Sequence, residues 1–350
     1  MRALTLTEPL TGTPPQLTEA PDPVPGYGEA LVRIHAAALN HRDLLWMDRE
    51  RGPRFFVPSG PFVMGADGAG TVAAVGDGVT GWRAGDRVLI DPLLTCGSCE
   101  HCRTGKVIFC PALSVLGGPA DGTLAELIAV PARNLHRVPA HLNLEQAAAL
   151  PMALGTAYHS LFVAAGLQPG ETVLVHGVGG GVAQIGAQLA VAAGATVIAT
   201  SSDDAKLARA RALGVAHTVN YRRDDVEQTV RDIVGPHGVD VVLDGVGGPA
   251  LLTSLKLAAP RGYGRVVRFG SVADTPVDLP AGLHGGANLL VGHMAAPGEM
   301  AAAVRFVAAH RVTPVVAEPM TLHRVDHALT ALREGRHNGK LIVNVEGAAA

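Results

Sequence analysis

The chain has four cysteines, and all fall in one segment, Cys96-Gly-Ser-Cys99-Glu-His-Cys102-Arg-Thr-Gly-Lys-Val-Ile-Phe-Cys110. Two successive two-residue gaps and a longer return let one loop wrap four thiolates around a tetrahedral Zn²⁺. No other cysteine exists to act as a distant disulfide partner. A closed four-thiolate shell leaves no open coordination position, so such an ion stabilises the fold and performs no chemistry. Iron–sulfur sites and redox-active thiols draw on the same residue type, and the spacing favours zinc. Glu100 and His101 lie inside the loop and are not needed as ligands.

A second chemical signature begins at Thr172. Thr172-Val-Leu-Val-His-Gly-Val-Gly-Gly-Gly-Val-Ala-Gln-Ile-Gly-Ala-Gln-Leu-Ala is an apolar strand, a glycine-rich turn and an amphipathic helix, in that order. Gly177, Gly179, Gly180 and Gly181 allow a tight turn and close approach of backbone N–H groups to a pyrophosphate. The helix that follows, opening near Val182, offers its positive N-terminal end. Ala183 stands where a third glycine often stands, which this pattern tolerates. A plain glycine-rich turn would lack the flanking strand and helix, so dinucleotide binding is the working reading.

The next strand ends Val197-Ile-Ala-Thr-Ser-Ser, without the acidic residue that would hold the ribose 2′-hydroxyl of NAD. Ser201, Ser202, Lys206, Tyr221 and Arg222 could instead surround a 2′-phosphate, since hydroxyl, ammonium and guanidinium donors suit that dianion. Asp203 and Asp204 sit close by and oppose it. These residues also suit an ordinary solvated helix start, with Asp204 or Ser202 as N-cap. The balance favours NADP(H) over NAD(H).

These groups need a scaffold, and 350 residues at 48% hydrophobic exceed one ordinary core. Two domains are expected. From Leu4 to about Val138, short β-rich runs such as Ala30–Ala36, Gly70–Val75 and Arg87–Ile90 alternate with Gly, Pro and Asp turns, which fits a barrel-like antiparallel domain. After Leu142, Ala-rich helical stretches alternate with buried-strand runs at Thr172–His176, Thr196–Thr200, Val239–Leu243 and Gly264–Phe269, the pattern of a doubly wound parallel sheet. A strand Asn288–Val291 and a helix from Pro297 through Ala309 follow, then strand-like Val312–Val316 and Lys340–Val345, which should rejoin the first domain. Gly347–Ala350 reads as a frayed tail.

A formal net charge of −3 without long Lys/Arg runs gives no basic field for nucleic acid. The N-terminus meets Glu8 and Pro9 before any signal-length apolar stretch, and the greasiest region, Ala147 to Leu167, is broken by Pro151, Gly155, His159 and Gly166. No membrane span or export is expected, so the location should be cytoplasmic and the partner a small molecule.

With both motifs placed, the sequence resembles the medium-chain dehydrogenase/reductase superfamily, the zinc alcohol dehydrogenases and quinone oxidoreductases, over essentially its whole length. Gly65-Ala-Asp-Gly-Ala-Gly, Gly85-Asp-Arg-Val, the cysteine loop, Gly122-Thr-Leu-Ala-Glu, Thr156-Ala-Tyr, the glycine loop, Val239-Asp-Val-Val-Leu-Asp and Gly339-Lys carry the likeness. It implies an α/β chain with a GroES-like β-barrel catalytic domain (1–152 and 297–350) and a Rossmann cofactor domain (153–296). It also implies further cofactor contacts from Gly270, Asn338 and Lys340, and a homodimer whose sheet is extended through the edge strand around Asn288–Val291.

Zinc-dependent members hold a catalytic ion with a Cys, the His of a Gly-His-Glu motif and a later Cys or acid. By the resemblance, those positions are Asn40, Ala66 and Met152 here. An amide, a methyl and a thioether cannot make a catalytic zinc site. Asp67 stands in place of the motif's acid and Asp43 in place of an acid that supports the ligands from behind. The departure is similar to the quinone oxidoreductase branch. Without a Lewis acid, simple alcohols become poor substrates, whereas a conjugated enone or quinone needs only hydrogen-bond donors for the charge reaching its carbonyl oxygen. Asn40 is the candidate donor, with His41, Arg42, Thr156 and Tyr158 as neighbours. Other roles suit the same residues: a helix cap for Asn40, a cofactor contact for His41, an Asp43 partner for Arg42 and a helix start for Thr156. Trp46, Phe55, Phe56 and Phe62 suit either an apolar substrate cleft or core. Three functions follow: an NADPH-dependent double-bond or quinone reductase, which leads; a metal-free alcohol or aldehyde dehydrogenase; and a silent NADPH-binding protein.

Overall fold

The computed structural model describes residues 1–52, 58, 60–273, 275–278 and 286–345. Phe55, Phe56 and the tail from Gly347 lie outside the described residues. The chain divides into two compact units, one comprising Met1–Met152, Ala296–Ala308 and the residues from Thr313 on, the other Ala153–Ala295 and Ala309–Val312. Among the described residues no helix is long and apolar enough to cross a membrane.

In the first unit the ten-residue strand Glu29–Ala38 is the organiser. Buried side chains alternate with half-buried ones and the exposed Arg33 as far as Ala36, after which Ala37 and Ala38 are also buried, and the strand pairs antiparallel with Asp67–Val75, Leu127–Pro131 and Ile342–Asn344. Register shifts between Leu31 and Val32 and between Ile34 and Ala36 mark irregularities in its pairing with Asp67–Val75, the kind of feature that curls a sheet. The order Leu135–Arg137, Arg87–Ile90, Asp67–Val75, Glu29–Ala38, Ile342–Asn344, Met320–Thr321 completes this curled sheet. A three-stranded sheet (Gln16–Glu19, Arg2–Leu6, Phe62–Val63) adds Leu4, Leu6 and Phe62 to one core with Ile34, Ile90 and Val343.

The late strands do rejoin this unit, although Val312–Val316 is not one of them. Val316 makes a single bridge to Lys340, and Met320–Thr321 provides the strand. Gly339 turns the chain into the last strand with φ +84°, and a Cβ there would lie 2.2 Å from Val315 O. Trp46 and Phe62 meet edge to face at 5.6 Å inside the core, so these two aromatics are structural and do not line a cleft.

The second unit is a six-stranded parallel sheet in the order His217–Asn220, Thr196–Ser201, Thr172–Val175, Val241–Asp244, Arg265–Arg268, Asn288–Val291. This is the 3-2-1-4-5-6 doubly wound order, whose ligand crevice lies beyond the carboxyl ends of the strands where the order reverses. The reversal falls at Thr172–Val175, the strand that feeds the glycine turn. His217–Asn220 was not legible as a strand, because its His, Thr and Asn lack the apolar run of its neighbours. Asn288–Val291 is the edge strand, with Val291 75% exposed.

Gly339→Ala should destabilise the protein by more than about 1 kcal/mol, because neither the backbone angle nor Val315 O leaves room for a methyl group. Urea unfolding of the variant beside the parent checks this, and equal midpoints would contradict it.

Candidate functional site

The cysteine loop assembles what its spacing promised. The four Sγ atoms lie within 4.8 Å of one another, with Cys96–Cys102 at 3.8 Å and Cys96–Cys110 at 3.6 Å. Tetrahedral zinc with Zn–S near 2.3 Å requires S···S separations of about 3.8 Å. Thiols this close leave room for one ion, and the donor set fits a structural zinc. Backbone N–H groups already point at sulfur: Cys99 N–H donates to Cys96 Sγ (3.3 Å) and Cys102 N–H to Cys99 Sγ (3.4 Å). Ser98 and Cys99 N–H groups hold the Cys96 thiol down to about 5, in the thiolate form that ligates. His101 stacks at a tilt on Phe109 and is not among the ligands.

At the glycine turn, Gly177 has φ +66°, a backbone angle that disfavours any side chain. The twelve-residue helix Gly181–Ala192 starts from the N-cap Gly180, and no side chain caps it. Its first N–H groups therefore await a ligand, which fits a pyrophosphate. Gly186, and not Ala183, makes the close helix–sheet approach, since a Cβ there would lie 2.5 Å from Leu243 Cδ2. Val182 sits in the first helical turn. Gly270 stands beside Gly245 O just past the strand Arg265–Arg268.

The ribose-binding end departs in detail from expectation. The N-cap of the helix Asp204–Ala212 is Asp203, whose carboxylate accepts from Ala205 and Lys206 N–H; neither Ser202 nor Asp204 caps it. Asp204 accepts from Asn220 Nδ2 at 2.9 Å, which holds its carboxyl below the usual range, and it pairs with Arg223 at 3.3 Å. Ser201 is buried, with Oγ accepting from Asp203 N–H. Ser202 and Lys206 are half-buried, while Tyr221 and Arg222 are exposed past the neighbouring strand. The Lys206 stem lies across Gly179, where a Cβ would fall 2.5 Å from its Cδ. Thr156 is buried in the helix Pro151–Tyr158 of this unit.

In the first unit, Asn40, Asp67 and Met152 converge. Asp67 is fully buried. Its Oδ1 accepts from Met152 N–H at 2.7 Å; its Oδ2 accepts from Asn40 Nδ2 at 3.0 Å and from Lys340 Nζ at 2.8 Å. Lys340 also donates to Leu39 O (3.0 Å) and Asn40 Oδ1 (2.7 Å), so all three ammonium hydrogens are taken. Lys340, expected to contact the cofactor, thus holds its ammonium among three oxygens of the first unit. Asn338, in the turn before Gly339, is half-buried. Arg42 donates to the carbonyls of Leu116 and Gly118 and lies over Trp46, instead of pairing with Asp43. His41 opens the helix His41–Leu45, and desolvation first, then the cations His337, Arg51 and Lys340, push its pKa below the ordinary value.

Asp43, expected by resemblance as an acid behind the ligand positions and as a possible partner of Arg42, has a different setting. It is fully buried; Oδ2 accepts from Asn40 N–H at 2.7 Å, while Oδ1 has no partner. Desolvation raises its pKa to about 6.

Two family descriptions match: "Alcohol dehydrogenase GroES-like domain" over residues 26–140 and "Zinc-binding dehydrogenase" over residues 181–309. An alcohol dehydrogenase of Geobacillus stearothermophilus is 30% identical over 334 residues, covering 95% of this chain and 97% of its own. The chain belongs to the medium-chain dehydrogenase/reductase superfamily. It is thus an NAD(P)H-dependent oxidoreductase with a GroES-like and a Rossmann domain. An acryloyl-coenzyme A reductase of Sulfurisphaera tokodaii is also 30% identical, over 98% of this chain and 99% of its own length. A crystal structure of an NAD-dependent alcohol dehydrogenase superposes with TM-score 0.90 at 36% identity, covering 99% of this chain and 100% of that one.

Two outcomes follow. The purified protein should carry about one zinc per chain, and Cys99→Ser should lower zinc content and unfolding midpoint together, since structural metal binding is coupled to folding; a zinc-free variant of parental stability would refute the assignment. For Asp43, the folded pKa of about 6 exceeds the unfolded value of 3.8. The folded state therefore binds the proton more tightly, and stability falls as pH rises from about 4 to 6. Asp43→Asn should flatten that slope and add up to about 3 kcal/mol at pH 7, with little change at pH 4. Urea unfolding at both pH values measures the difference.

Proposed function

We propose that this protein is an NADPH-dependent reductase of activated double bonds, enones or quinones, working without a catalytic metal. The observation that carries this reading is the saturation of Asp67. Both carboxylate oxygens are occupied, and an ammonium already neutralises the charge. A divalent cation at this place would meet Lys340 and find an amide, a methyl and a thioether at residues 40, 66 and 152.

What the cluster offers instead is a fixed donor. Asn40 Oδ1 faces the Lys340 ammonium and its Nδ2 faces the Asp67 carboxylate, so a flipped amide would set like against like. One Nδ2 hydrogen is spent on Asp67 and the other is left for a substrate carbonyl. A bound nicotinamide would supply the hydride. Asn40 Nδ2 would donate to the carbonyl oxygen of a C=C–C=O acceptor, where negative charge would collect, with the Lys340 cation nearby. The likeness to an acryloyl-coenzyme A reductase supports a conjugated acceptor.

For the cofactor, NADPH is favoured by the missing acid at the end of Thr196–Ser201 and by the proximity of Lys206 to the glycine turn. Asp203 and Asp204, which would oppose a phosphate, are engaged by helix N–H groups and by Asn220 and Arg223. The edge strand Asn288–Val291 supports a homodimer formed by pairing two such edges, which light scattering at micromolar concentration tests; a stable monomer would remove it.

NADPH oxidation against quinones, enones and aldehydes tests the reaction. Enones or quinones should turn over, and Asn40→Leu should lower kcat/KM about a hundredfold. Alcohol or aldehyde turnover alone would favour the dehydrogenase reading, and saturable NADPH binding without any turnover the silent one. Lys206→Ala should weaken NADPH by about 1–3 kcal/mol and leave NADH nearly unchanged; equal losses would show that this residue does not read the 2′-phosphate.

A further inference from the structure

His176 follows the central strand of the parallel sheet and places an imidazole where an apolar group would pack. One pleat earlier, Leu174, Ile198 and Val242 form an apolar row across three neighbouring strands. Two residues on, the same face carries His176, Thr200 and Asp244, all buried, at the sheet edge from which the glycine turn springs. Asp244 is satisfied by Val246 N–H (2.8 Å), Gly247 N–H (2.9 Å) and Ser254 Oγ (3.0 Å).

Thr200 Oγ1 is the link. It lies 3.3 Å from Gly177 N, whose N–H donates to it, and 3.2 Å from His176 Nδ1. A hydroxyl has one proton to give, and Nδ1 is the acceptor in reach. Nδ1 is therefore bare, and Nε2 carries the ring proton. Desolvation holds the imidazole below its ordinary pKa, against the pull of the Asp244 charge, so the ring is neutral. Nε2 is buried without a partner.

An unsatisfied buried N–H costs stability. Leucine would avoid that cost, as Leu174 does one pleat back. What histidine supplies and leucine cannot is an acceptor for the Thr200 proton. We propose that His176 is a positioning residue for dinucleotide binding: by accepting the Thr200 hydroxyl proton, it aims the Thr200 lone pairs at Gly177 N–H and holds the glycine turn in its receiving shape. The turn is fastened at both ends, because Gly177 O in turn accepts from Gly180 N–H at 2.9 Å and Val178 N–H reaches Thr200 O at 2.9 Å.

Dissociation constants for NADPH and NADH, from fluorescence titration of the full-length protein, test this beside unfolding midpoints. His176→Leu should bind both nucleotides weaker by the same factor, about three- to tenfold, with a midpoint unchanged or raised. Thr200→Val should do the same, and the double variant should be no weaker than either single. His176→Asn, whose Oδ1 can accept the same proton, and Thr200→Ser should bind as the parent does. Parental affinity in His176→Leu would overturn the proposal, as would losses that multiply in the double variant. Should His176→Leu fail to fold, weak binding by a folded His176→Asn or Thr200→Ser overturns it equally.

Discussion

Lys340 is only 4% exposed, and an ammonium stripped of water persists only where oxygens replace its hydration. Leu39 O, Asn40 Oδ1 and Asp67 Oδ2 are those oxygens, 301, 300 and 273 positions away in sequence. Much of the first unit is arranged to bring them together. Glu29–Ala38 delivers Leu39 and Asn40 from its end, Asp67 begins the antiparallel neighbour, and Ile342–Asn344 docks on the other side to place Lys340. Losing any one partner would leave a buried charge uncompensated, the costly case for ion pairs. The orientation of the Asn40 amide follows from this constraint, because its Oδ1 and Nδ2 are both bonded within the buried pair.

The second unit shows the opposite arrangement, a deliberate shortage of partners. The helices Asp204–Ala212 and Val226–Val234 begin with Asp203 and Asp225, whose carboxylates satisfy first-turn N–H groups. Gly181–Ala192 begins with a bare glycine cap. A side-chain cap adds about 1 kcal/mol to a helix, and its absence before Gly181–Ala192 leaves donors and dipole for an anion; Pro249–Leu257 also starts from a glycine without a side-chain cap, but its first turn opens with a proline, which has no N–H to offer. The orphan Nε2 of His176 and the orphan Oδ1 of Asp43 belong to the same class of tolerated costs, and each adjoins a candidate site. Stability and binding draw on the same hydrogen-bonding groups, so a position cannot serve both.

What could be read from the sequence was what is local. The cysteine loop and the glycine turn each lie within one short segment, so spacing alone set the clustering of the thiols and the strand–turn–helix order. Parallel strands were legible as apolar runs, and the polar His217–Asn220 was not. Long-range partnerships escaped. Nothing near Lys340 in sequence shows that its charge is consumed by Asp67, and nothing near Arg42 points to the carbonyls of residues 116 and 118. Asp203 outcompeted Asp204 and Ser202 as cap through a one-residue difference in where the helix starts, which propensity does not resolve. Trp46 and Phe62 suit core or cleft equally in the sequence because aromatic composition does not encode which side of a helix end or of a two-residue strand is buried.

The same contrast between local and distributed sites accounts for a chain that keeps one metal position and forgoes the other. Four thiols within one loop need only that loop to fold, and their backbone N–H···S bonds come from residues of the loop itself. Nothing elsewhere has to change for them to persist. Residues 40 and 152 meet at Asp67, next to residue 66, only because strands, a helix start and a buried ion pair hold them together. Once a side chain there ceases to ligate, the remaining acid must find another cation or be left buried and charged, and Lys340 fills that need. An ion pair so installed resists the return of a metal, because the incoming cation would have to displace an ammonium with all three hydrogens bonded. The buried pair thus leaves the Asn40 amide as the polar group of this cluster with a fixed orientation, its Oδ1 on Lys340 and its Nδ2 on Asp67.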